Sequence, residues 1–291
     1  MNKEIIYAHE HITIDLSGIK KDIDCFLNNK EQTIDEFKQL KSKGVSTIID
    51  VTNRGMGRDT EYVAEVIEKT GINILQSTGY YKEPFLPEEV YKLNVNELSK
   101  LMVNEIVNSI EDSNSKASLI GEIGTSLKKI EDMEYKVFEA SSRAHIETGA
   151  PIITHTTLGK LGLEQIDLFK KFSVDLSKVT LSHIDLSGDL EYMFRLLDTG
   201  VNIAFDTIGK NNYQPDKDRV KWLKALCDKG HSKQIVMSMD ITRKSHFKGN
   251  GGLGYNYLID SFIPKLYENE ISKEHIENML VNNIKNIYNL K

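Results

Sequence analysis

The chain reads as an α/β protein, a single (β/α)8 barrel of the TIM type with a metal site at the C-terminal ends of its strands. Three observations predict this. Short β-branched runs alternate with helix-period segments eight times along the sequence, and such alternation calls for parallel pairing through right-handed crossovers. No linker, low-complexity tract or composition shift interrupts residues 1–291, so one domain is expected throughout. Histidines and carboxylates recur where the strands end. An open doubly wound sheet is the competing arrangement.

Taken in order, the first strand is expected over Glu4–His9, on the run Ile5-Ile6-Tyr7-Ala8. Leu16–Gln32 is the least regular part and is expected to form the first βα loop with a short helix. Later strands are expected at Val45–Val51, Ile72–Ser77, Ser118–Glu122, Ala150–His155, Lys178–His183, Val201–Phe205 and Gln234–Met239. Helix periodicity marks Asp59–Lys69, Val95–Ile110, Met133–Thr148, Leu163–Phe172, Leu190–Leu197 and Arg219–Cys227. Gly44, Gly71, Gly149 and Gly200 each stand just before a strand, where helix C-caps belong. After the eighth strand, Tyr257–Tyr267 and Glu274–Asn286 are read as closing helices.

Composition narrows the function. A hydrophobic fraction of 40% and a charged fraction of 27% suit a soluble chain with a large core. The formal net charge of −6 gives no footprint for nucleic acid, and no apolar run approaches the roughly 20 residues that span a bilayer. Cys25 and Cys227 are isolated, which fits a reducing compartment. Met1-Asn2-Lys3-Glu4 leads into the first strand without a secretory apolar core, so a cytoplasmic location is the expectation.

Barrel enzymes carry their chemistry at the C-terminal ends of the strands. There the chain places His9 and His11 after strand one and Glu122 at strand four. His155, His183 and Asp240 end strands five, six and eight. Alternation along a strand puts His9 and His11 on one side and Glu10 on the other. Each of the six has a bland alternative as a cap or a satisfied core group, but together those require six coincidences on one rim. His145, His231, His246 and His275 are read as exposed. A catalytic Zn²⁺ takes three protein ligands; four imidazoles and two carboxylates therefore suit two divalent ions. Zn²⁺, Mn²⁺ and Co²⁺ all accept such donors.

At this point the residues resemble the phosphotriesterase family of the amidohydrolase superfamily over nearly the full length. The matching stretches include Ala8-His9-Glu10-His11, Gly121-Glu122-Ile123-Gly124-Thr125-Ser126, Thr154-His155-Thr156, Ser182-His183-Ile184-Asp185 and Ser238-Met239-Asp240-Ile241-Thr242-Arg243. The resemblance implies that His9, His11 and Asp240 hold a more buried ion, His155 and His183 a more exposed one, and that Glu122 bridges them. It also suggests a homodimer. One departure matters: the family's best-known members bridge with a carboxylated lysine, and glutamate is shorter. Either the strand sits closer here or the coordination changes.

The expected reaction is hydrolysis of a small-molecule ester, a lactone or related carboxylic ester, by a metal-bridging hydroxide. Asp240 is expected to accept the nucleophile's proton and Tyr80, at the rim after strand three, to donate to a substrate oxygen. The loop Ile241–Gly254 carries Arg243, Lys244 and Lys248 before a Gly-rich helix entrance, and these three are the expected contacts for an anionic or phosphorylated substrate. Gly249, Gly251 and Gly254 match a dinucleotide fingerprint by spacing alone, with no βαβ unit to follow. The competing functions are phosphotriester or phosphodiester hydrolysis, a TatD-like metal-dependent deoxyribonuclease, and a binding barrel without turnover.

Overall fold

The computed structural model describes residues 4–290, so the Met1-Asn2-Lys3 lead-in lies outside the described residues. Eight parallel strands follow one another around a nearly closed barrel in chain order. They are β1 (Ile5–Glu10), β2 (Val45–Asp50), β3 (Asn73–Thr78), β4 (Ala117–Thr125), β5 (Ile152–Thr156), β6 (Val179–Ser182), β7 (Asn202–Phe205) and β8 (Ile235–Met237). These are the eight runs expected from the sequence, with ends displaced by up to three residues.

The strands carry two apolar faces. Ile6, Ala8, Ile49, Val51, Leu119, Ile153, Ala204 and Val236 fill the barrel interior, with Ile284 and Ile287 of the last helix packed against them. The outer face packs on the helices through a larger cluster that includes Tyr7, Ile48, Leu181 and Ile203. Near-continuous apolar strands are what a parallel sheet covered on both sides requires.

The helices between strands are α1 (Lys30–Ser42), α2 (Thr60–Thr70), α3 (Val95–Val107), α4 (Asp132–Thr148), α5 (Gly162–Lys171), α6 (Leu190–Leu197) and α7 (Asp216–Asp228), beside shorter turns. Gly71 and Gly149 close α2 and α4 as left-handed caps. Leu16–Gln32 holds the short helix Ser17–Lys20 and the two residues Phe26–Leu27, which pair antiparallel with Ile14–Asp15 just before it. Two closing segments also form, Leu258–Glu268 and Lys273–Tyr288, each with a widened π-type turn.

Two strands are irregular where the rim histidines and Glu122 sit. Tyr7 pairs with Ile48 and Glu10 with Asp50, so three steps along β1 match two along β2. Likewise Ile120 pairs with Ile152 and Ile123 with Thr154. An extra residue of this kind is a β-bulge, which re-aims side chains. Gly121 makes the second bulge possible: a Cβ there would lie 2.1 Å from the Ile153 carbonyl oxygen. Only glycine lets β4 pass β5 so closely.

Candidate metal centre

Glu122 stands at the middle of the rim. Its Oε1 lies 3.4 Å from His11 Nε2, and its Oε2 lies 3.7, 3.3 and 3.6 Å from His9 Nε2, His155 Nδ1 and His183 Nε2. Asp240 Oδ1 completes the cluster at 3.6 Å from His9 Nε2 and 3.5 Å from His11 Nε2. Metal–nitrogen bonds of about 2.0–2.1 Å at tetrahedral angles leave donors roughly 3.3–3.4 Å apart. The observed spacings sit close to that edge and beyond ordinary hydrogen-bond length. The register shift at Gly121 aims Glu122 into this cluster.

Buried polar atoms normally have partners, yet His9 Nε2 and Glu122 Oε2 have none. Their donors instead group as His9, His11 and Asp240, and as His9, Glu122 and His183, each set within 4.8 Å. Among the imidazoles, His9 and His11 are the most buried, with side chains 0% and 1% exposed against 6% for His183 and 14% for His155. Orphaned imidazole and carboxylate atoms converging without protein donors are what a divalent cation fits.

The far ring atoms fix the tautomers of His11 and His183. Thr52 Oγ1 donates to the Thr13 carbonyl at 2.6 Å, so at 2.8 Å it must accept from His11 Nδ1–H. That leaves the Nε2 lone pair of His11 facing Asp240. Asp206 Oδ1 accepts from His183 Nδ1–H at 2.9 Å, and Asp206 Oδ2 lies 3.3 Å from His9 Nδ1. His183 therefore offers Nε2, backed by a carboxylate as metal-binding histidines commonly are, and His9 Nδ1 also lies 3.0 Å from the Ser182 hydroxyl. His155 presents Nδ1 instead, with the Tyr81 hydroxyl 3.2 Å away.

Electrostatics favour anionic carboxylates. Burial opposes the charge on Glu122, but the close His11, His155 and His183 rings hold it well below the usual carboxylate range. Burial likewise opposes the charge on Asp240, and Lys210 and His9 outweigh it. Burial pulls His155 down to about 4, a neutral ring with a lone pair to offer. Burial would also lower His183, but Asp206 draws it upward.

Two residues of the cluster also have a strained backbone. His183 and Asp240 adopt φ of 61° and 50°, a left-handed conformation costing roughly 1–2 kcal/mol for a residue with a Cβ. Such strain persists where surrounding structure over-determines it, commonly at functional sites.

The cluster forms the floor of a cavity of about 200 Å³ whose walls include Tyr81, Lys210, Arg243 and His246. Several sequence expectations need correction here. Tyr80 is fully buried outside this cavity, its hydroxyl facing Arg54 and Glu89; its backbone bridges to Arg54, and the next residue, Tyr81, is the one that turns in. Of the three loop cations only Arg243 lines the cavity. Lys244 lies over the Phe26 ring, and Lys248 is an exposed residue whose backbone N–H bonds Glu36. The loop is not free: Asp22 and Asp24 hold Arg243 and Ser245, and Glu36 holds Lys248 and Tyr255. His246 is part of the wall, His145 is buried with Nδ1 2.7 Å from the Ala150 carbonyl, and His231 and His275 are half-buried, so none of the four is exposed.

Two participants escaped the sequence reading. Asp206 had a signal, a carboxylate at the end of β7. Lys210 had none; it reaches from the turn after β7 to pair with Asp240. No helix among the described residues is long and apolar enough to cross a membrane.

Comparison with known proteins agrees with this geometry. The chain matches the phosphotriesterase family over residues 4–288. It is 46% identical over 276 residues to the phosphotriesterase homology protein of Escherichia coli (strain K12), spanning 95% of this chain and 94% of that protein. The crystal structure of that protein, complexed with phosphate in its active site, superposes with a TM-score of 0.97 at 44% identity, covering 99% of each chain. A phospho-furanose lactonase of Mycoplasmopsis synoviae (strain 53) is 32% identical over 292 residues, 92% of this chain and 82% of that protein. An N-acetyltaurine hydrolase of Dictyostelium discoideum is 31% identical over 273 residues, 90% and 74% of the two chains. On fold, rim geometry and sequence together, the chain belongs to the phosphotriesterase family and, like its named relatives, is a hydrolase.

Proposed function

We propose that this protein is a binuclear metal-dependent hydrolase of small anionic esters, with a phosphorylated lactone as the first substrate to test. The observation that carries the reading is Glu122, set among four imidazoles beside Asp240 on the floor of an open cavity. His9, His11 and Asp240 would hold the inner ion, His155 and His183 the outer, and Glu122 would touch both. Zn²⁺ is the proposed metal, and Mn²⁺ or Co²⁺ meets the same donors. When bound, such ions supply an activated water and an electrophile for the scissile group's oxygen.

The chain's own residues do the rest. Asp240, ionised and anchored between His9, His11 and Lys210, takes the proton of the attacking water and passes it towards the leaving group. The Tyr81 hydroxyl, in the wall beside His155, donates to a substrate oxygen. Lys210 and Arg243 face the cavity and supply positive charge for an anionic group on the substrate. Their position supports an anionic substrate better than the Lys244 and Lys248 side chains do.

The lactonase among the relatives supports a lactone more than a phosphotriester, while the N-acetyltaurine hydrolase makes an N-acyl amide the second reading. Two buried free thiols suit a cytoplasmic enzyme. A turnover screen on metal-analysed protein tests the proposal, with sugar-phosphate lactones, their unphosphorylated counterparts, phosphotriesters and N-acyl amides side by side. The expected result is fastest turnover of phosphorylated lactones. Equal rates with and without the phosphate would remove the anionic-substrate claim, and an amide-only profile would replace the ester reading.

A further inference from the structure

Glu10 belongs to the His9-Glu10-His11 triplet, yet its carboxylate leaves the cluster and turns to the junction of the last strand with the first. Its Oε1 accepts the Ser238 hydroxyl and the Met239 N–H, both at 2.7 Å, and its Oε2 accepts the Ile241 N–H at 2.9 Å. The side chain is fully buried. The two amides stand on either side of Asp240, the residue held in a left-handed conformation.

The location gives this contact its weight. Parallel ladders join each strand to the next from β1 to β8, but none joins β8 back to β1 among the described residues. At this seam a side chain does what backbone pairing does elsewhere. Without the carboxylate, two buried N–H groups and the Ser238 hydroxyl would lose their acceptors, and the backbone around Asp240 would be free to leave its strained conformation.

We propose that Glu10 is a positioning residue for the inner metal set, holding Asp240 so that its Oδ1 meets His9 and His11 Nε2 at 3.6 and 3.5 Å. The proposal rests on the two-ion reading above. The short segment His9–His11 at the end of β1 then supplies two ligands directly and sets the backbone of the third through Glu10. Glutamine at this position keeps the size and one acceptor oxygen but sets an NH2 group against an N–H donor.

The test titrates metal-free wild type, Glu10→Gln and Ser238→Ala with Co²⁺, following visible absorption and metal retained after gel filtration. Thermal unfolding of each metal-free protein is recorded in parallel. Wild type is expected to take up two equivalents. In Glu10→Gln one of the two binding steps is expected to weaken about 10–100-fold, as loss of an outer partner of a metal ligand does, while the other step holds. Ser238→Ala removes one donor and is expected to weaken the same step by less. Two unchanged steps in Glu10→Gln overturn the assignment, as does equal weakening of both steps with a lowered unfolding temperature. If Glu10→Gln does not fold, unchanged steps in Ser238→Ala overturn it. Wild type taking up fewer than two equivalents overturns the two-ion reading itself.

Discussion

The two ends of the barrel are made from the same eight strands and obey opposite rules. Below, Ile6, Ile49, Leu119, Ile153 and Val236 fill the interior against Ile284 and Ile287. Polar groups near that end are paired: Asn283 Nδ2 donates to the Ser232 and Ile235 carbonyls, and Lys178 Nζ to those of Asn286 and Ile287. Above, buried His9, Glu122 and Asp206 each have an atom with no partner, and His183 and Asp240 have left-handed backbones. Stability is concentrated at one end and reactivity at the other, as barrel enzymes generally arrange them.

The sharpest way to break this contrast is to damage each end alone. Asp240→Asn keeps the side chain's size and removes its capacity to take a proton. Turnover is expected to fall by about 10²–10⁴-fold, with some metal still bound and the unfolding transition little changed; steady-state kinetics with metal analysis checks this. Unchanged activity would remove Asp240 from the mechanism. Leu119→Ala should do the reverse. It opens a cavity in the floor and is expected to cost about 2–5 kcal/mol of stability, read by urea unfolding, while the metal stoichiometry of the folded protein is retained. Loss of metal without loss of stability would mean that the two ends are not separable.

Asp206 sharpens the comparison because it touches one histidine from each proposed ion. Asp206→Asn is expected to weaken metal binding by about 10–100-fold, a smaller effect than removing a ligand, measured by competition with a chelator. The smallest effect concerns the outside of the barrel. Burial opposes the charge on Glu105, but hydrogen bonding and Coulombic attraction from Arg58, at 2.8 and 2.9 Å, hold its carboxyl below the ordinary value of 4.5. A lowered folded pKa means stability that is complete above the unfolded value and lost as pH falls through the folded one. Urea midpoints from pH 7 down to pH 3 should therefore fall less steeply in Glu105→Gln than in wild type. Parallel curves would show that the pair contributes nothing.

The strand order and the six rim residues could be read from sequence because both depend on local signals: β-branched runs, and ligand-type residues at their ends. What could not be read depends on contacts between distant segments. Tyr80 and Tyr81 are neighbours with the same chemistry, and only the bridge to Arg54 decides which of them faces the cavity. Lys210 lies 30 residues before Asp240 in a turn of no regular period. Lys244 and Lys248 carry the right charge, but the loop's anchorage to Asp22, Asp24 and Glu36 sets where their backbones run. The bulges that aim His9 and Glu122 leave one trace, Gly121, whose missing Cβ has meaning only once β5 lies beside it.

The central claim is that Glu122 joins two ions across the barrel mouth. Crystals of Zn²⁺-loaded protein, with anomalous scattering measured on both sides of the zinc absorption edge, test it most directly. The account predicts two anomalous peaks per chain, one against His9, His11 and Asp240 and one against His155 and His183, with the Glu122 carboxylate between them. A single peak, or two peaks with Glu122 touching neither, would contradict it.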